Sequence, residues 1–574
     1  MEKIVPVDEG AEAFVELLNA NGVEYLFLNP GTDTFPVQEA ISKFKALGKP
    51  APQVILCLHE SVAMAAAHGY FAVTGRPQVV LVHVDLGTLQ VGGALHNAQR
   101  GRIGVVLCAG RAPSTIDQNV RGERSAGIHW IQEQADQGGI VRNYVKWEYE
   151  LRSNASIHQV VQRAFQMAST EPCGPVYLTL PRELLMEKIK SVVVPDVARH
   201  AAVTTPQADL DTLAEVADIL LKAESPLIVA GDTGRHPEAV ATLVELAETL
   251  GARVMPDNIR MSFPNTHPLC ASGFGQPYLK DADAVLLIDR DIPYIPRQTK
   301  PRPDAKIIHI SIDPIKLDIP LWVFPGDLFI HADSRKALPA LTEILRKKIT
   351  PPQRVRLNDR FRKIEAENKQ GREQQHAASA AKATQKPISA QWLGHCLGEI
   401  VDEDMILVHE MAGAAEIERT KPGTVFGSGG SSLGFGLGGA LGVKLASPDK
   451  TVVSLMGDGC FVFGCPIATL WAASVYKAPF LSVIFNNQQY HAPKGGLGIR
   501  GNYGKDSYSE KTGVWEGIDI VPSPDYALIA QACSGWGQKV EDPAELLPAL
   551  KKGLEQVRRG KPVVIDVRLE SPNP

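Results

Sequence analysis

MGDGCFVFGCPIATLWAASVYKAPFLSVIFNNQQY, residues 456–490, holds two apolar runs with a helical stretch between them. The first run ends in Gly457-Asp458-Gly459 and the second in Asn486-Asn487. Strand, helix and strand in that order predict a parallel β-α-β unit covered on both faces. In such sheets ligands bind beyond the carboxyl ends of the strands, where Asp458 and the asparagines fall. The flanking glycines let backbone approach a bulky anion. A carboxylate and an amide oxygen are hard ligands suited to Mg²⁺, which shares its shell with substrate phosphates. Gly-Asp-Gly alone, or Asn-Asn alone, is an ordinary turn. One helix and one strand apart, they predict a cation that bridges protein and a diphosphate.

The same alternation extends in both directions. MILVHE, TVVSLMGD, FLSVIFNN and PVVIDVRL are the strands of a block at 388–574. VEYLFLNPG, PQVILCLHE, PQVVLVHVD, IGVVLCAG and GPVYLTLP mark a block at 1–190. SPLIVAGD, ARVMPDN, AVLLIDRD and AKIIHISID mark a third at 205–350. Residues 351–387 are polar, charged and alanine-rich, and read as a connector with some helix. The expectation is three consecutive α/β domains with mainly parallel sheets. A chain of 574 residues has room for them.

Composition narrows the function classes. The net charge is −5, with acid and base mixed throughout, so neither a nucleic-acid groove nor a membrane surface is expected. No window holds the roughly 20 apolar residues of a membrane span. The first residues read as an amphipathic helix and not as a signal peptide. The eight cysteines form no CxxC pair and read as reduced core thiols of a cytoplasmic protein.

Gly-Asp-Gly and Asn-Asn at this distance resemble the metal motif of thiamine diphosphate enzymes. The interval from Asp458 to Asn487 is 29 residues, slightly longer than in many members, which suggests a small insertion around FVFGCP. The resemblance implies Mg²⁺ held by Asp458, Asn487 and the backbone carbonyl of Gln489, with Gly457, Gly459 and Cys460 against the diphosphate. It also implies an activating glutamate at a strand end of the first block. VILCLHESVAMAAAHGYFAVTGRP supplies Glu60, whose carboxyl would hydrogen-bond the aminopyrimidine ring. The plain alternative is an acid in the first turn of a helix. In FGSGGSSLGFGLGGALGVKLA, 426–446, Leu433 stands where the family wedges an apolar residue between the cofactor rings. The carbonyl of Ser431 would accept from the 4′-amino group. VHEMAGAAEI resembles the diphosphate loop, around Ala412 and Gly413.

The family's order is a pyrimidine-binding, a central and a diphosphate-binding domain. The resemblance covers essentially the whole chain. It implies a homodimer at minimum and a homotetramer as the usual form. Some central domains hold FAD. SPLIVAGDTGRHPEAV, 225–240, resembles a remnant of such a site, but a GxGxxG-like reading of its glycines gives bound FAD no support.

Within the family, His83 and Thr32 lean towards decarboxylation. His83 follows Glu60 by 23 residues, as does an acid/base histidine of benzoylformate decarboxylases, and imidazole suits proton transfer at neutral pH. Thr32 stands where those enzymes have a hydroxyl near the substrate carboxylate. Their second histidine has no counterpart in LIDRDIPYIPRQ, and His491 is a candidate substitute donor. The expected reaction is decarboxylation of a small 2-oxo acid, with carboligation as a further outcome. An acetolactate synthase-like carboligase and a 2-hydroxyacyl-CoA lyase are the alternatives. DLGTLQ replaces the Gly-Pro-Gly loop of the first, and the short tail DVRLESPNP argues against the second. A catalytically silent homologue would have lost Glu60, Asp458 or Asn487.

Overall fold

A computed structural model describes residues 2–257, 259–271, 278–410 and 416–571. Three parallel sheets carry the chain. The first runs in the order Gln53–Leu56, Tyr25–Leu28, Gln78–Val82, Val105–Arg111, Val176–Pro181, Glu148–Glu150. The second runs Arg253–Pro256, Pro226–Ala230, Ala284–Ile288, Lys306–Ser311, Leu328–His331. The third runs Val425–Phe426, Ile406–Glu410, Val452–Gly457, Leu481–Asn486, Val563–Arg568, Trp536–Val540. Every pairing inside these sheets is parallel. The central strands are apolar on both faces because helices cover both: Gln78–Val82 and Pro226–Ala230 are buried at every residue. A short antiparallel pair, Lys3–Pro6 with Ser191–Val194, ties the chain start to the end of the first domain.

The quoted stretch forms the β-α-β unit, with two helices where the sequence predicts one between the strands. Val452–Gly457 leads into the helix Asp458–Phe463, then the helix Pro466–Val475 and the strand Leu481–Asn486. These strands are neighbours in the sheet, so Asp458 and Asn487 emerge at the same edge.

The first and third domains share one apolar core. Its seam is the helix Glu60–Thr74 against the helix Phe435–Ala446. The glycine-rich run therefore also works as a packing surface. A Cβ on Gly442 would stand 1.8 Å from the Ala66 carbonyl, and one on Gly69 would stand 2.2 Å from the Gly439 carbonyl. Only backbone fits at that distance. This seam holds the strand ends of the two domains in one neighbourhood.

Residues 351–380 form one continuous helix, Pro351–Ala380, started by a Thr350–Gln353 capping box and a proline in its first turn. It is tied to the central domain by Arg360, which donates to the carbonyls of Ala223, Glu224 and Gly251 at 3.0 Å each. Charge pairs gather at the carboxyl ends of the central sheet. Arg235 meets Asp289 at 3.0 Å and Glu171 at 3.4 Å, and Asp291 meets Arg102 at 2.6 Å and Lys316 at 3.1 Å. Among the described residues no helix is long and apolar enough to cross a membrane.

Candidate active site

The C-terminal part is built on two adjacent strand ends. Asp458 is 2% exposed. Its Oδ1 accepts from the Gly459 N–H at 3.0 Å, while its Oδ2 has no partner among the described residues. Burial pushes the carboxyl up to about 6, against the pull of the backbone N–H groups of Gly459 and Gln488. A buried carboxylate oxygen with no partner is costly unless it meets a cation. The two asparagines differ. Asn486 is buried and donates to Asp566 Oδ1 at 2.8 Å, which spends it on the core. Asn487 is half-buried, and its Oδ1 accepts from the Gln489 N–H at 3.1 Å. Gln488 between them takes φ +57°, which turns the chain back past Asp458.

Among the described residues no group of three or more His, Cys, Asp and Glu side chains could hold a metal. A cation here would rest on Asp458, amide oxygen and carbonyl, a donor set that suits a hard ion retaining water and phosphate oxygens. The orphaned Oδ2 fits that role. Gly457 ends the strand, Gly459 packs under the Tyr490 ring, and Cys460 is buried, its thiol pushed up by burial and by Glu410. His491 opens the next short helix with Nδ1 3.5 Å from Gln489 Nε2, and burial, then Lys494 and Arg500, lower its pKa.

Glu410 is a site residue that sequence reasoning passes over. It ends the strand Ile406–Glu410 and is 4% exposed. Its two oxygens accept from the N–H groups of Gly434 at 2.6 Å and Gly436 at 2.7 Å. Burial pushes its carboxyl up to about 7. Glu410 thus caps the helix Phe435–Ala446 and fixes the turn that carries Leu433. From the other side Asn97 clasps the same turn, donating to the Ser432 carbonyl at 2.8 Å and accepting from its N–H at 3.0 Å. Ser431 is exposed, with its hydroxyl 3.4 Å from His96 Nε2. Ala412 and Gly413 lie outside the described residues.

The N-terminal part begins with Glu60, half-buried, the first residue of the helix Glu60–Thr74. His59 caps that helix, its Nδ1 accepting from the Ser61 N–H at 3.2 Å. A Cβ on Gly87 would lie 3.3 Å from Glu60 Oε1. The Glu60 carboxylate therefore stands over the helix Val84–Gln90, which His83 precedes.

His83 pairs through Nδ1 with Asp33 Oδ1 and through Nε2 with Gln132 Oε1 at 3.2 Å. Asp33 is 3% exposed, and its Oδ2 also accepts from the Val84 N–H at 3.1 Å. Burial alone would lower the imidazole pKa, but the Asp33 hydrogen bond and charge raise it. With Gln132 so oriented, both ring nitrogens face acceptors, the pattern of an imidazolium. The backbone is strained for this: buried Val84 sits at φ +28°. Gly31 leaves the ring its space, since a Cβ there would meet His83 Nδ1 at 2.0 Å.

Thr32 is exposed, and its carbonyl accepts from Arg182 at 2.9 Å. Its neighbour Asp33 is the side chain that reaches the histidine. A second histidine stands near the pair: His129, 2% exposed, lies 3.4 Å from Arg182 Nη1, and burial, then Arg182, lower its pKa. Asp33 and His129 carry no periodic signal. The one legible hint was an acid beside Thr32 in a Gly-Thr-Asp turn.

The geometry thus offers a buried carboxylate poised for a cation and, at strand ends of another sheet, a half-buried acid and a carboxylate–imidazole pair. The chain matches the thiamine pyrophosphate enzyme N-terminal TPP binding domain at residues 8–140. It matches the central domain at 213–341 and the C-terminal TPP binding domain at 408–567. It is 27% identical to a benzoylformate decarboxylase of Pseudomonas aeruginosa, over 98% of this chain and 99% of that one. It is also 27% identical to an acetolactate synthase isozyme 3 large subunit of Escherichia coli, over 98% and 95%. A thiamine diphosphate-dependent 4-hydroxybenzoylformate decarboxylase of Rhodococcus jostii superposes with TM-score 0.77 at 24% identity, covering 99% of this chain and 100% of that one. A benzoylformate decarboxylase of Polynucleobacter necessarius does so with TM-score 0.77 at 22% identity, over 99% of each. With three domain matches in the family's order and relatives spanning nearly its full length, the chain belongs to the thiamine pyrophosphate enzyme family.

Proposed function

We propose that this enzyme is a thiamine diphosphate- and Mg²⁺-dependent lyase that removes CO₂ from a small 2-oxo acid. The observation that carries the reading is the Asp33–His83 pair, a raised-pKa imidazole at the strand end leading into the helix Val84–Gln90, over which the Glu60 carboxylate stands. Asp458, Asn487 and the Gln489 carbonyl would hold Mg²⁺. Gly457, Gly459 and Cys460 would face the diphosphate, as would Ala412 and Gly413. Leu433 would support the rings, and the Ser431 carbonyl would accept from the amino group. When bound, the cofactor supplies an electron sink for cleavage of the bond next to a carbonyl. Glu60 holds a proton at the pyrimidine edge. His83, charged by Asp33, delivers a proton to the carbon that has lost CO₂. Thr32 and His491 border the substrate.

The equal identity to an acetolactate synthase supports carboligation as a second outcome, in which a carbonyl acceptor takes the place of the proton. Exposed apolar side chains flank both parts of the site. Leu86 is 50% and Leu89 57% exposed after His83, and Phe463 is 55% and Ile467 62% exposed after the metal strand. That apolar border supports a homodimer at minimum, assembled to a homotetramer, with a partner covering the site. The eight thiols, all free, fit a cytoplasmic enzyme.

The test is CO₂ release by the purified protein with thiamine diphosphate and Mg²⁺, using benzoylformate, pyruvate and a branched 2-oxo acid. Fast release from one of them is expected. Release from none would overturn the decarboxylase reading in favour of carboligation or hydroxyacyl cleavage. His83→Ala should then lower kcat by about 10²–10⁴, the usual worth of a positioned acid or base. Asp33→Asn should act through pH. Without the acid, the imidazole loses its proton at lower pH, so the alkaline limb of the kcat profile moves down. An unmoved limb would remove His83 from proton transfer.

A further inference from the structure

Cys465 stands at the corner between the helices Asp458–Phe463 and Pro466–Val475. It takes φ +48°, a conformation rare for a residue with a side chain, and that turn aims it across the domain seam. Its Sγ lies 3.7 Å from Ser61 Oγ, and Ser61 Oγ lies 2.8 Å from His59 Nδ1. The Phe463 carbonyl also lies 3.8 Å from the sulfur. His59 and Ser61 come from the N-terminal domain, so the cluster exists only where the two domains meet.

The cluster opens into a cavity of about 430 Å³, lined also by His68, Leu433 and Phe463. His68 is 1% exposed, and neither of its ring nitrogens has a partner among the described residues. A closed apolar void would not be lined by a histidine with both nitrogens unspent, so the cavity suits a small polar guest.

The other thiols contrast with Cys465. Burial raises Cys57, Cys108, Cys173, Cys270, Cys396, Cys460 and Cys533, which makes them inert. Cys465 is lowered, first by its hydrogen bond to His59, against burial, with Ser61 helping and the Glu60 charge opposing. It also sits at the N-terminus of a ten-residue helix, where the dipole favours a thiolate.

We propose that Cys465, with His59 and Ser61, is a modification site whose sulfur reacts with small electrophiles and peroxides ahead of every other thiol in the chain. With hydrogen peroxide, the sulfur attacks one oxygen and an S–O bond forms as the O–O bond breaks. The sulfur is oxidised by two electrons and the peroxide reduced. The proton that the thiol gives up through Ser61 Oγ to His59 passes on to the leaving hydroxide, which departs as water, and His59 ends as it began. The resulting sulfenic acid occupies the cavity between Leu433 and the residue preceding Glu60. Modification is therefore expected to slow turnover, an effect that rests on the proposed function; the labelling itself does not.

The experiment treats the full-length protein at pH 7 with limiting iodoacetamide and follows each cysteine by peptide mass spectrometry. Cys465 should be alkylated at least about tenfold faster than any other thiol, as expected of a cysteine paired with a histidine at a helix N-terminus. Labelling no faster than that of half-buried Cys173 would overturn the proposal. His59→Asn keeps a cap for the helix but removes the imidazole, and should slow Cys465 alkylation by about tenfold. An unchanged rate would show that His59 does not activate the sulfur. Ser61→Ala gives the same readout should the histidine variant fold poorly. With hydrogen peroxide and dimedone, the adduct should appear at Cys465, and no adduct there would rule out the peroxide step. Cys465→Ser should keep activity with thiamine diphosphate and Mg²⁺ and lose peroxide sensitivity. If wild type reacts at Cys465 but its turnover is unaffected, the site stands and its link to the cofactor pocket fails.

Discussion

Glu60→Gln is expected to cut CO₂ release by about 10²–10⁴ while costing folding stability no more than about 0.3–1 kcal/mol. Glutamine keeps the size and the hydrogen-bonding reach of the side chain but cannot hold or release a proton. Two readings of Glu60 predict different sizes of effect. As the first residue of the helix Glu60–Thr74, its charge meets the positive end of the helix dipole. Losing that charge costs only about 0.3–1 kcal/mol, which thermal unfolding would register and turnover would not. As the group that holds a proton at the pyrimidine edge, its loss falls on the chemical step alone. Turnover at saturating cofactor, measured beside the melting curve, separates the two. A loss below tenfold with a shifted melt would leave Glu60 as a helix-start acid and nothing more. The half-exposed position of Glu60 in the single chain adds a second expectation. Its share in catalysis should depend on whatever covers it, cofactor or partner subunit, so dilution that dissociates the proposed oligomer should lower specific activity.

The three sheets were legible because parallel strands covered on both faces must be apolar throughout. Runs such as VVLV and PLIVA leave little room for another reading. The strand-end acids were legible for a related reason: Asp458 and Glu60 interrupt apolar runs where a fold of this type binds ligands. Glu410 interrupts its run in the same way, yet nothing in MILVHE says that its carboxylate turns inward to cap a helix whose first residue is Phe435. That role exists only after the domain has folded. Asn97 was hidden for the same reason, since its partner Ser432 lies in another domain. Asp33 shows the limit most clearly. Thr32 and Asp33 share one turn, and a turn has no periodicity to say which side chain faces inward. The helix Pro351–Ala380 was read only as partly helical, because it has no apolar stripe. Of its 30 residues, only Leu357, Ile364 and Ser379 are buried, and arginine-to-carbonyl bonds hold it to the central domain.

Asp458→Asn should produce two effects of opposite sign. Cofactor affinity in the presence of Mg²⁺ should fall by at least about 100-fold, the upper range for residues that merely support a metal ligand. The thermal midpoint of the cofactor-free protein should hold or rise. The reason lies in the folded chain itself. Asp458 is 2% exposed, and one of its oxygens has no partner among the described residues. A buried group left unsatisfied costs about 1–3 kcal/mol, and more when it is charged. Asparagine removes the charge and can still accept from the Gly459 N–H. A residue kept for folding would behave in the opposite way, with its amide variant melting earlier and binding cofactor as before. The carboxylate therefore makes sense as a cost accepted by the free protein and offset when a cation arrives. Titrating thiamine diphosphate with and without Mg²⁺, against wild type and Asp458→Asn, tests this directly. Wild type should need the ion and the variant should gain nothing from it. Equal affinities in all four titrations would mean that the strand-end carboxylate holds no metal, and the assignment of Asn487 and Gln489 would fall with it.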